Sequence, residues 1–329
     1  MSKFKNLKIT SKLLIKSLLT LVPGVYSVFG RKSTHAKDVS YCYSVLLRHL
    51  TYLMEKNGGV FPNNIVEIGP GGSLGSGVFA LLLGAKSYTA VDAKNHLGAT
   101  DHIKILHDLI DLLQRKEPIP SGKFPNLSPG LDAYQFPDWL SDRIVSKDLL
   151  SNSRIKSLEK LLTAFEKNHE AHDDGLHIKY VTTVDYSKIE APKEIDWIYS
   201  QAVMEHVPAV QYVYENCLSW LRPGGLMSHQ IDYKSHGLAA DWNGHWTYSN
   251  FVWKLINGNR TYLINRHPHS YHRQALGNLG FQVLKEKNIH RKSNYALADM
   301  NKNCNLKKED VTTSGSFIIV QKPSLNPHA

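Results

Sequence analysis

Short apolar runs alternate with amphipathic stretches along most of the chain. The apolar runs predict buried strands at residues 65–68, 88–91, 178–181, 195–200 and 226–231, with two later strands at 281–284 and 316–320. Apolar residues at helical spacing predict helices at about 36–56, 78–83, 103–113, 155–165, 208–221 and 270–279. Strands that alternate with helices are typical of an α/β fold with a largely parallel sheet.

The segment from Asn64 to Asp92 joins two of these strands through a glycine-rich loop. The loop, residues 69–75, reads GPGGSLG and is followed by the apolar helical segment. Glycines allow positive φ angles and let the backbone approach a ligand, and a helix start leaves N–H groups free. Asp92 ends the second strand, where a carboxylate can accept hydrogen bonds from two ribose hydroxyls. The segment therefore predicts a nucleotide-type ligand.

The spacing of the glycines within the loop distinguishes between two classes of nucleotide-type ligand. Gly69, Gly71 and Gly75 follow the pattern Gly-x-Gly-x-x-x-Gly, one residue longer than the dinucleotide fingerprint. Glu67 would repel a pyrophosphate, but it suits a ligand with a cationic amine and a sulfonium. The stretch resembles the S-adenosylmethionine (SAM) loop of class I methyltransferases, which reads apolar-acid-apolar-Gly-x-Gly. A strand–helix–strand unit without a ligand is the structural alternative.

Two later segments carry the same resemblance. DWIYSQAVMEHV (196–207) and LRPGGLM (221–227) resemble the central segments of type 11 methyltransferases. The resemblance covers residues 60–100 and 178–233. It implies a Rossmann-like seven-stranded sheet that ends in an antiparallel hairpin, with SAM as cofactor. The whole chain resembles methyltransferases of bacterial surface-polysaccharide gene clusters.

We predict one class I methyltransferase domain, residues 36–329, behind a basic and apolar segment, residues 1–35. Insertions are expected at about 100–175 and 234–265. An insertion at the carboxyl edge of a parallel sheet lies where ligands bind. The long helical insertion after the second strand is therefore interpreted as a lid over the substrate, with a surface decoration as the alternative.

The net charge of +10 is concentrated near the N-terminus, since residues 1–60 hold ten Lys/Arg and two acidic residues. The body carries little of it, which disfavours nucleic acid as a partner. The apolar stretch 17–29 is broken by Pro23 and is too short to span a membrane. Residues 1–35 therefore predict either peripheral contact with an anionic membrane or a short helix packed on the body. Three unclustered cysteines indicate a reducing compartment, so a cytoplasmic protein is expected, membrane-associated if that contact forms.

The resemblance assigns the cofactor-binding residues Glu67, Gly69, Gly71, Gly75, Asp92, Asp185 and Gln201. The resemblance implies that Asp185 contacts the adenine amino group of SAM and that Gln201 lines the methionine end of the same cofactor. A hydroxyl acceptor also needs a base or a metal. The predicted catalytic residues are His206, His229 and Asp232, and His236 follows them closely. Because side chains alternate along a strand, His229 and Asp232 point to opposite faces, and Asp232 at the strand end is better placed for a substrate.

A metal ion remains an alternative at the sequence level. In ubiquinone-pathway and small-RNA O-methyltransferases, a Glu-x-x-Glu-His pattern binds a divalent cation. This chain has Glu205 and His206, but Ala202 replaces the first acid and weakens the metal interpretation. His229 and Asp232 could restore a ligand set.

The run from Asp241 to Tyr248 combines aromatic and hydrogen-bonding side chains. Such a mixture suits a saccharide, because an aromatic face covers the sugar ring while polar groups bind its hydroxyls. A buried loop with core tryptophans is the alternative. We predict a SAM-dependent methyltransferase for a hydroxyl of a small molecule, a saccharide or a lipid-linked saccharide. The alternatives are a nucleic-acid, quinone or lipid methyltransferase and an inactive binding module of the same fold.

Overall fold

The computed structural model describes residue 13 and residues 38–98, 100–189, 194–258 and 263–324. The strands in this part of the chain are β1 Asn64–Ile68, β2 Ser87–Asp92, β3 Glu170–Asp173, β4 Leu176–Thr182, β5 Ile195–Gln201, β6 Leu221–Asp232, β7 Gln282–His290 and β8 Thr313–Gln321. The helices are α1 Val39–Lys56, α2 Gly75–Leu82, α3 His102–Gln114, α4 Asp138–Ser146, α5 Asn152–Asn168, α6 Val210–Trp220, α7 Asn250–Asn257 and α8 His269–Asn278.

The described strands form one sheet in the order β3-β4-β2-β1-β5-β6-β8-β7. Strands β4, β2, β1, β5 and β6 are parallel to their neighbours in this central part. The chain runs from β1 to β2 and β4 on one side and then returns to β5 on the other side of β1. Ligands of such sheets bind outside the carboxyl ends of the strands where this reversal occurs. The switch point between β1 and β5 is therefore the expected ligand crevice.

The α/β class predicted from the sequence is confirmed, but the described sheet has eight strands where the sequence predicted seven. The additional strand, β3, pairs antiparallel with β4 at one edge. Asp174 and Gly175 connect them with φ angles of 46° and 75°, as expected for a tight hairpin turn. At the other edge β8 runs antiparallel to both β6 and β7.

The strand predicted at 226–231 begins earlier in the structure. Residues 222–225, which the prediction left between a helix and that strand, follow Leu221 at the beginning of β6. Leu221 pairs with Ile195 and Leu226 with Trp197, with an irregular register between these pairs. The proline and glycines are tolerated because the strand is irregular there.

Helices cover both faces of the sheet. Helices α1, α2, α3 and α5 pack on one face, around Phe79 and Trp197, and α6 and α8 pack on the other, around Tyr214. Gly77 allows α2 to approach β2 closely, because a Cβ there would lie 2.1 Å from the Tyr88 ring. The carboxyl edge of the sheet is thereby held between two packed helical layers.

The first predicted insertion contributes α3, α4 and α5. Its loop, residues 115–137, is bound to α1. Buried Arg48 donates to the carbonyl of Leu127 at 2.5 Å and to that of Pro129 at 3.0 Å. The loop is thus attached to the helix next to the glycine loop, and its role as a lid remains a prediction.

The second predicted insertion, residues 234–265, carries α7 and a small apolar cluster. Leu13 belongs to this cluster, is 8% exposed and packs near Tyr248 and Ile256. The rest of the predicted segment 1–35 lies outside the described residues, and so does its predicted membrane contact. Among the residues that the structure describes, no helix has the length and apolarity to cross a membrane.

Candidate active site

The glycine loop lies at the switch point, between the end of β2 and the turn after β5. Gly69 and Gly71 both have φ of 72°, a conformation that side chains disfavour. A Cβ on Gly69 would lie 2.5 Å from a methyl group of Val203. The Gly71 N–H points at Asp92 Oδ2, at 3.3 Å. Both glycines are therefore required by backbone shape, and at Gly69 the missing side chain leaves room for Val203.

Two of the N–H groups at the start of α2, where the sequence predicts free ones, have partners within the protein. The Gly75 N–H donates to Ser73 Oγ at 3.1 Å, and the Leu74 N–H approaches His102 Nε2 at 3.5 Å. A Cβ on Gly75 would lie 2.6 Å from Cys42 Sγ. The structure thus gives Gly75 a packing role, since its missing side chain lets α1 pass over the loop.

Asp92 is placed as the sequence predicted, at the end of β2. It is 8% exposed, and Oδ1 accepts the N–H of Ala93 at 2.8 Å and lies 3.7 Å from His96 Nε2. Burial raises the pKa of this carboxyl. The two backbone contacts leave acceptor capacity on both oxygens for a ligand hydroxyl.

Glu67 is buried beneath the glycine loop and has two tyrosine partners. Its Oε2 accepts hydrogen bonds from the hydroxyls of Tyr88 and, at 2.7 Å, of Tyr199. Burial raises the pKa of Glu67 to about 7, although the two tyrosines act in the opposite direction. The group can therefore gain or lose its charge near neutral pH, depending on what binds beside it.

Tyr41 on α1 connects the two halves of the site, and the sequence analysis did not single it out. Burial and the nearby groups of Cys42, Glu67 and Glu205 raise the pKa of Tyr41 to about 12. Its ring contacts Phe124 of the first insertion edge to face, with centroids 5.5 Å apart.

Gln201 ends β5 beside the switch point, but its side chain is engaged within the protein. Its Oε1 lies 3.0 Å from His49 Nε2, and its Nε2 donates to the Ser128 carbonyl at 3.0 Å and to Gln230 Oε1 at 3.2 Å. Gln201 thus joins α1, the first insertion and β6. A contact with a cofactor would have to replace or share one of these bonds.

Asp185 follows β4, and its side chain is bound to neighbouring residues of the protein. Its Oδ1 accepts from Ser187 Oγ at 2.6 Å and from the Tyr212 hydroxyl at 2.8 Å, and Lys188 Nζ lies 3.3 Å from Oδ2. Hydrogen bonds from Ser187, Tyr212 and Lys188 lower its pKa to about 2. It is an anion with three partners, so a role toward adenine remains a prediction.

Glu205 lies in the turn after β5 and has a buried carboxyl group. Only 3% of the residue is exposed, and neither carboxyl oxygen accepts a hydrogen bond of standard geometry from the described residues. Burial, and after it the charge of Asp232, hold the pKa of Glu205 well above its ordinary value. The backbone N–H groups of Glu205 and Asp232 lie close enough to act against the rise of its pKa. A buried polar group without a partner costs about 1–3 kcal/mol, which makes it a candidate for ligand binding.

Asp232 ends β6 and forms a small charged cluster near Glu205. It accepts the backbone N–H of Lys234 at 2.9 Å and lies 2.9 Å from the Lys234 ammonium. His236 Nε2 lies 3.4 Å from the same carboxylate, and the rings of His206 and His236 are 5.3 Å apart. Burial would raise the pKa of Asp232, but His236 and Lys234 lower it to about 2. Asp232 is thus a fixed anion that faces a histidine.

The aromatic run 241–248 is largely core rather than an open sugar-stacking surface. Trp246 is fully buried, and its Nε1 donates to the Arg266 carbonyl at 3.1 Å. His245, which the sequence analysis did not single out, is 1% exposed. Burial, with Arg266 and His236 nearby, lowers the pKa of His245 to about 3. A neutral histidine therefore lies behind the charged cluster.

His229 lies on the opposite face of β6 from Asp232, as strand alternation predicted. It is fully buried under α6, and its Nδ1 is 2.8 Å from Ser200 Oγ. Burial lowers its pKa to about 3. This position speaks against a catalytic role for His229. It also means that the predicted metal ligands Glu205, His206 and His229 are not brought together.

A cavity of about 590 Å³ adjoins the turn that carries Glu205. Its lining includes Asn265, His267 and Tyr271, and the last two rings are stacked with centroids 3.8 Å apart. The backbone N–H of Asn265 donates to the Glu205 carbonyl at 2.6 Å, and its side chain donates to the carbonyl of Met204 at 2.8 Å. These two hydrogen bonds hold the part of the cavity wall that contains Asn265 against the turn after β5.

No family model matches this chain, and no curated protein matches it. Among solved structures, it is similar to a SAM-dependent methyltransferase from Mesorhizobium loti, at 12% identity over 79% of this chain and 90% of that one, with a TM-score of 0.38. It is also similar to the CurJ carbon methyltransferase, at 14% identity over 98% and 69% of the two chains, with a TM-score of 0.42. The N-methyltransferase NodS from Bradyrhizobium japonicum WM9, in complex with S-adenosyl-L-homocysteine, gives 11% identity over 96% and 99%, with a TM-score of 0.38. Similarities at this level do not establish which reaction this chain performs.

Proposed function

We propose that the protein is a SAM-dependent methyltransferase that acts on a hydroxyl group of a saccharide or a lipid-linked saccharide. The observation that carries this proposal is the difference between the residues on the two sides of the switch point. On one side are the backbone of Gly69 and Gly71 and the carboxylate of Asp92. On the other are the unpartnered Glu205 and the Asp232 cluster. One side suits a nucleoside cofactor and the other suits a polar acceptor.

The residues on the cofactor side fit SAM. Asp92 retains acceptor capacity for ribose hydroxyls after its contacts with Gly71 and Ala93. The backbone at Gly69 and Gly71 can approach the ligand closely. Glu67, with a pKa of about 7, would become fully charged beside an ammonium or sulfonium group. When bound, SAM supplies the electrophilic methyl group.

A histidine at the carboxyl edge would take the proton of the acceptor hydroxyl. His236 faces the Asp232 carboxylate at 3.4 Å, which leaves its other ring nitrogen as the proton acceptor. Asp232 would stabilise the imidazolium that forms. His206, whose ring is 5.3 Å from that of His236, is the second candidate base.

Glu205 would bind the acceptor rather than remove its proton. In its protonated form, which the raised pKa favours, the carboxyl group offers one O–H donor and a carbonyl acceptor. An acceptor with neighbouring hydroxyls could satisfy both, which would relieve the cost of burying them unpaired.

The adjoining cavity supports a saccharide acceptor. Amide side chains line it together with the stacked pair His267 and Tyr271, and Trp253 lies at the same wall. Amides bind hydroxyls without requiring charge, and aromatic faces cover the apolar side of a sugar ring. A volume of about 590 Å³ is in the range of small-ligand sites.

Calorimetric titration of SAM tests the proposal. Wild-type protein should bind SAM, and Asp92→Ala should weaken binding by about 100-fold, or roughly 2.7 kcal/mol. Asp108→Ala is the matched control, because that carboxylate pairs with Lys104 on the surface of α3. A wild-type protein that does not bind SAM would contradict the proposal and favour an inactive binding module.

Methyl transfer from labelled SAM to free and lipid-linked saccharides then tests the acceptor. We expect Asp232→Ala to lose activity while it keeps its affinity for SAM. Transfer to quinone or nucleic acid, with none to saccharides, would replace the acceptor but leave the reaction class in place.

A further inference from the structure

The hairpin of β3 and β4 presents two histidines and a glutamate on one face. His172 pairs directly with His177 across the hairpin, and Glu170 pairs with Lys179. Side chains two residues apart share a strand face. These four therefore project from one side of the sheet edge, while Ala171 and its neighbours on the other side enter the core.

The ligand atoms of the three potential donors lie close together. Glu170 Oε1 is 3.2 Å from His177 Nε2 and 3.7 Å from His172 Nε2. The two imidazole rings are stacked, with centroids 3.9 Å apart and planes inclined by 3°. One ligand atom from each residue falls within a group whose members are all within 4.8 Å of one another.

These distances match what a tetrahedral metal ion requires. Zinc binds imidazole nitrogen and carboxylate oxygen at about 2.0–2.2 Å, so two ligands of a tetrahedral ion lie about 3.3 Å apart. The two distances to the Glu170 oxygen, 3.2 and 3.7 Å, bracket that value. Because the rings are parallel, their nitrogen lone pairs lie in parallel planes. Each ring would have to rotate by roughly 50°, about half the tetrahedral angle, to direct both nitrogens at one ion. Two histidines and one carboxylate, with a fourth position open to water, are a known zinc ligand set.

Lys179 contributes to the arrangement of the carboxylate. Its Nζ lies 3.1 Å from Glu170 Oε2, the oxygen that does not face the histidines. This contact fixes the carboxylate so that Oε1 points toward both rings, as an outer partner does in metal sites. The ammonium also makes bidentate binding of the ion by Glu170 unfavourable.

We infer that Glu170, His172 and His177 form a zinc-binding site on the outer face of the β3–β4 hairpin, separate from the proposed active site. Bound zinc would tie the edge strand β3 to β4. Because the ion would bind the folded hairpin and not the unfolded chain, it would also raise the stability of the protein.

Calorimetric titration of metal-free, full-length protein with zinc chloride tests this inference. One ion should bind per chain, and His172→Ala and His177→Ala should each weaken binding by about 10-fold or more. Zinc should also raise the thermal unfolding midpoint of the wild type, but not that of the double variant. Neither readout depends on methyl transfer or on SAM.

His107→Ala is the matched control. His107 is an exposed histidine that lies 2.9 Å from Glu159, so it forms a histidine–carboxylate pair without a third ligand. Zinc binding should be unchanged in this variant. Equal affinity in the wild type and the His172/His177 double variant, or an equal loss in His107→Ala, would overturn the inference. Circular dichroism of each variant would exclude unfolding as the cause of lost binding.

Discussion

Two buried carboxyl groups lie on the two sides of the switch point, and their surroundings differ. Glu67, at the end of β1, receives hydrogen bonds from Tyr88 and Tyr199. Glu205, in the turn after β5, receives none from the described residues. Their exposed fractions are similar, 5% and 3%. Burial alone therefore does not distinguish the two groups, whereas their partners do.

The difference indicates two kinds of site. A buried acid with its hydrogen bonds made is organised before any ligand arrives, so the cofactor side of the crevice is rigid. A buried acid without hydrogen-bond partners lowers the stability of the free protein. Such a group is tolerated where a bound ligand supplies the missing hydrogen bonds. We therefore assign the unsatisfied side to the acceptor, which is the part of the reaction that requires specificity.

The largest expected effect is a loss of folding stability at acidic pH, because histidines are buried on both sides of the sheet. Burial lowers the pKa values of His49 and His102 to about 4 and those of His229 and His245 to about 3. These groups bind protons in the unfolded chain below its pKa of about 6.5, but not in the folded one, so stability is lost as the pH falls from 6.5 toward 4.

Each of these histidines should lower the free energy of unfolding by about 2 kcal/mol as the pH falls from 6.5 to 5. Glu67 acts in the opposite sense, because its pKa is raised to about 7 and its protonated form favours the folded state as the pH falls. Glu205, whose pKa is also raised, acts in the same sense as Glu67. Together they offset roughly two of the four histidines, so a net loss of a few kcal/mol remains. Urea unfolding at a series of pH values measures this loss, and His229→Gln should make the slope shallower. A flat profile would show that the histidines are not neutral in the folded protein.

The second prediction is Glu205→Leu, which separates function from stability. Leucine has a similar volume and no unsatisfied polar atoms, so the free energy of unfolding should be unchanged or higher by about 1–3 kcal/mol. Methyl transfer should fall by about 100-fold, because the acceptor loses a partner in the site. Denaturant unfolding and a transfer assay on the same preparation measure both quantities.

Glu215→Leu is the control for that change. Glu215 lies on the surface of α6, where it accepts a hydrogen bond from Gln211 at 3.1 Å. Its replacement should affect neither activity nor stability by much. If Glu205→Leu destabilised the protein and kept its activity, Glu205 would be a structural residue and not a partner of the acceptor.

The sequence was sufficient for features that depend on local order. The glycine loop, the strand before it and Asp92 after it were predicted because turn residues and apolar runs act over a few positions. Alternation along β6 also separated His229 from Asp232 correctly. These features need only the chain's own periodicity.

Features that depend on contacts between distant segments were missed. The tyrosines that bind Glu67 come from β2 and β5, so the strand order has to be known before they can be assigned. Strand β3 was missed because Glu170–Asp173 is polar and lacks an apolar alternation, although Asp174-Gly175 was a hairpin signal. The free N–H groups expected at α2 were taken by Ser73 and approached by His102, a residue 28 positions away.

The third prediction is Tyr199→Phe, which removes one partner from the satisfied acid. The Glu67 carboxylate loses its 2.7 Å hydrogen bond, and the free energy of unfolding should fall by about 1–3 kcal/mol. Tyr212→Phe is the control, because that hydroxyl donates to the much more exposed Asp185 and should cost less than about 1 kcal/mol. Equal losses in the two variants would remove the distinction between buried and exposed carboxylates.

The smallest expected effect belongs to Asp185→Asn, at the periphery of the cofactor side. Here the carboxylate already accepts from Ser187 and Tyr212, and an amide oxygen can accept the same bonds. If Asp185 also accepts from the adenine amino group, that donor is neutral and does not require a charged partner. SAM affinity should therefore fall by less than about 3-fold, or under 1 kcal/mol. Calorimetric titration of SAM into both variants compares the loss of affinity in Asp185→Asn with that in Asp92→Ala. A loss as large as that of Asp92→Ala would show that the charge of Asp185 itself organises the cofactor site.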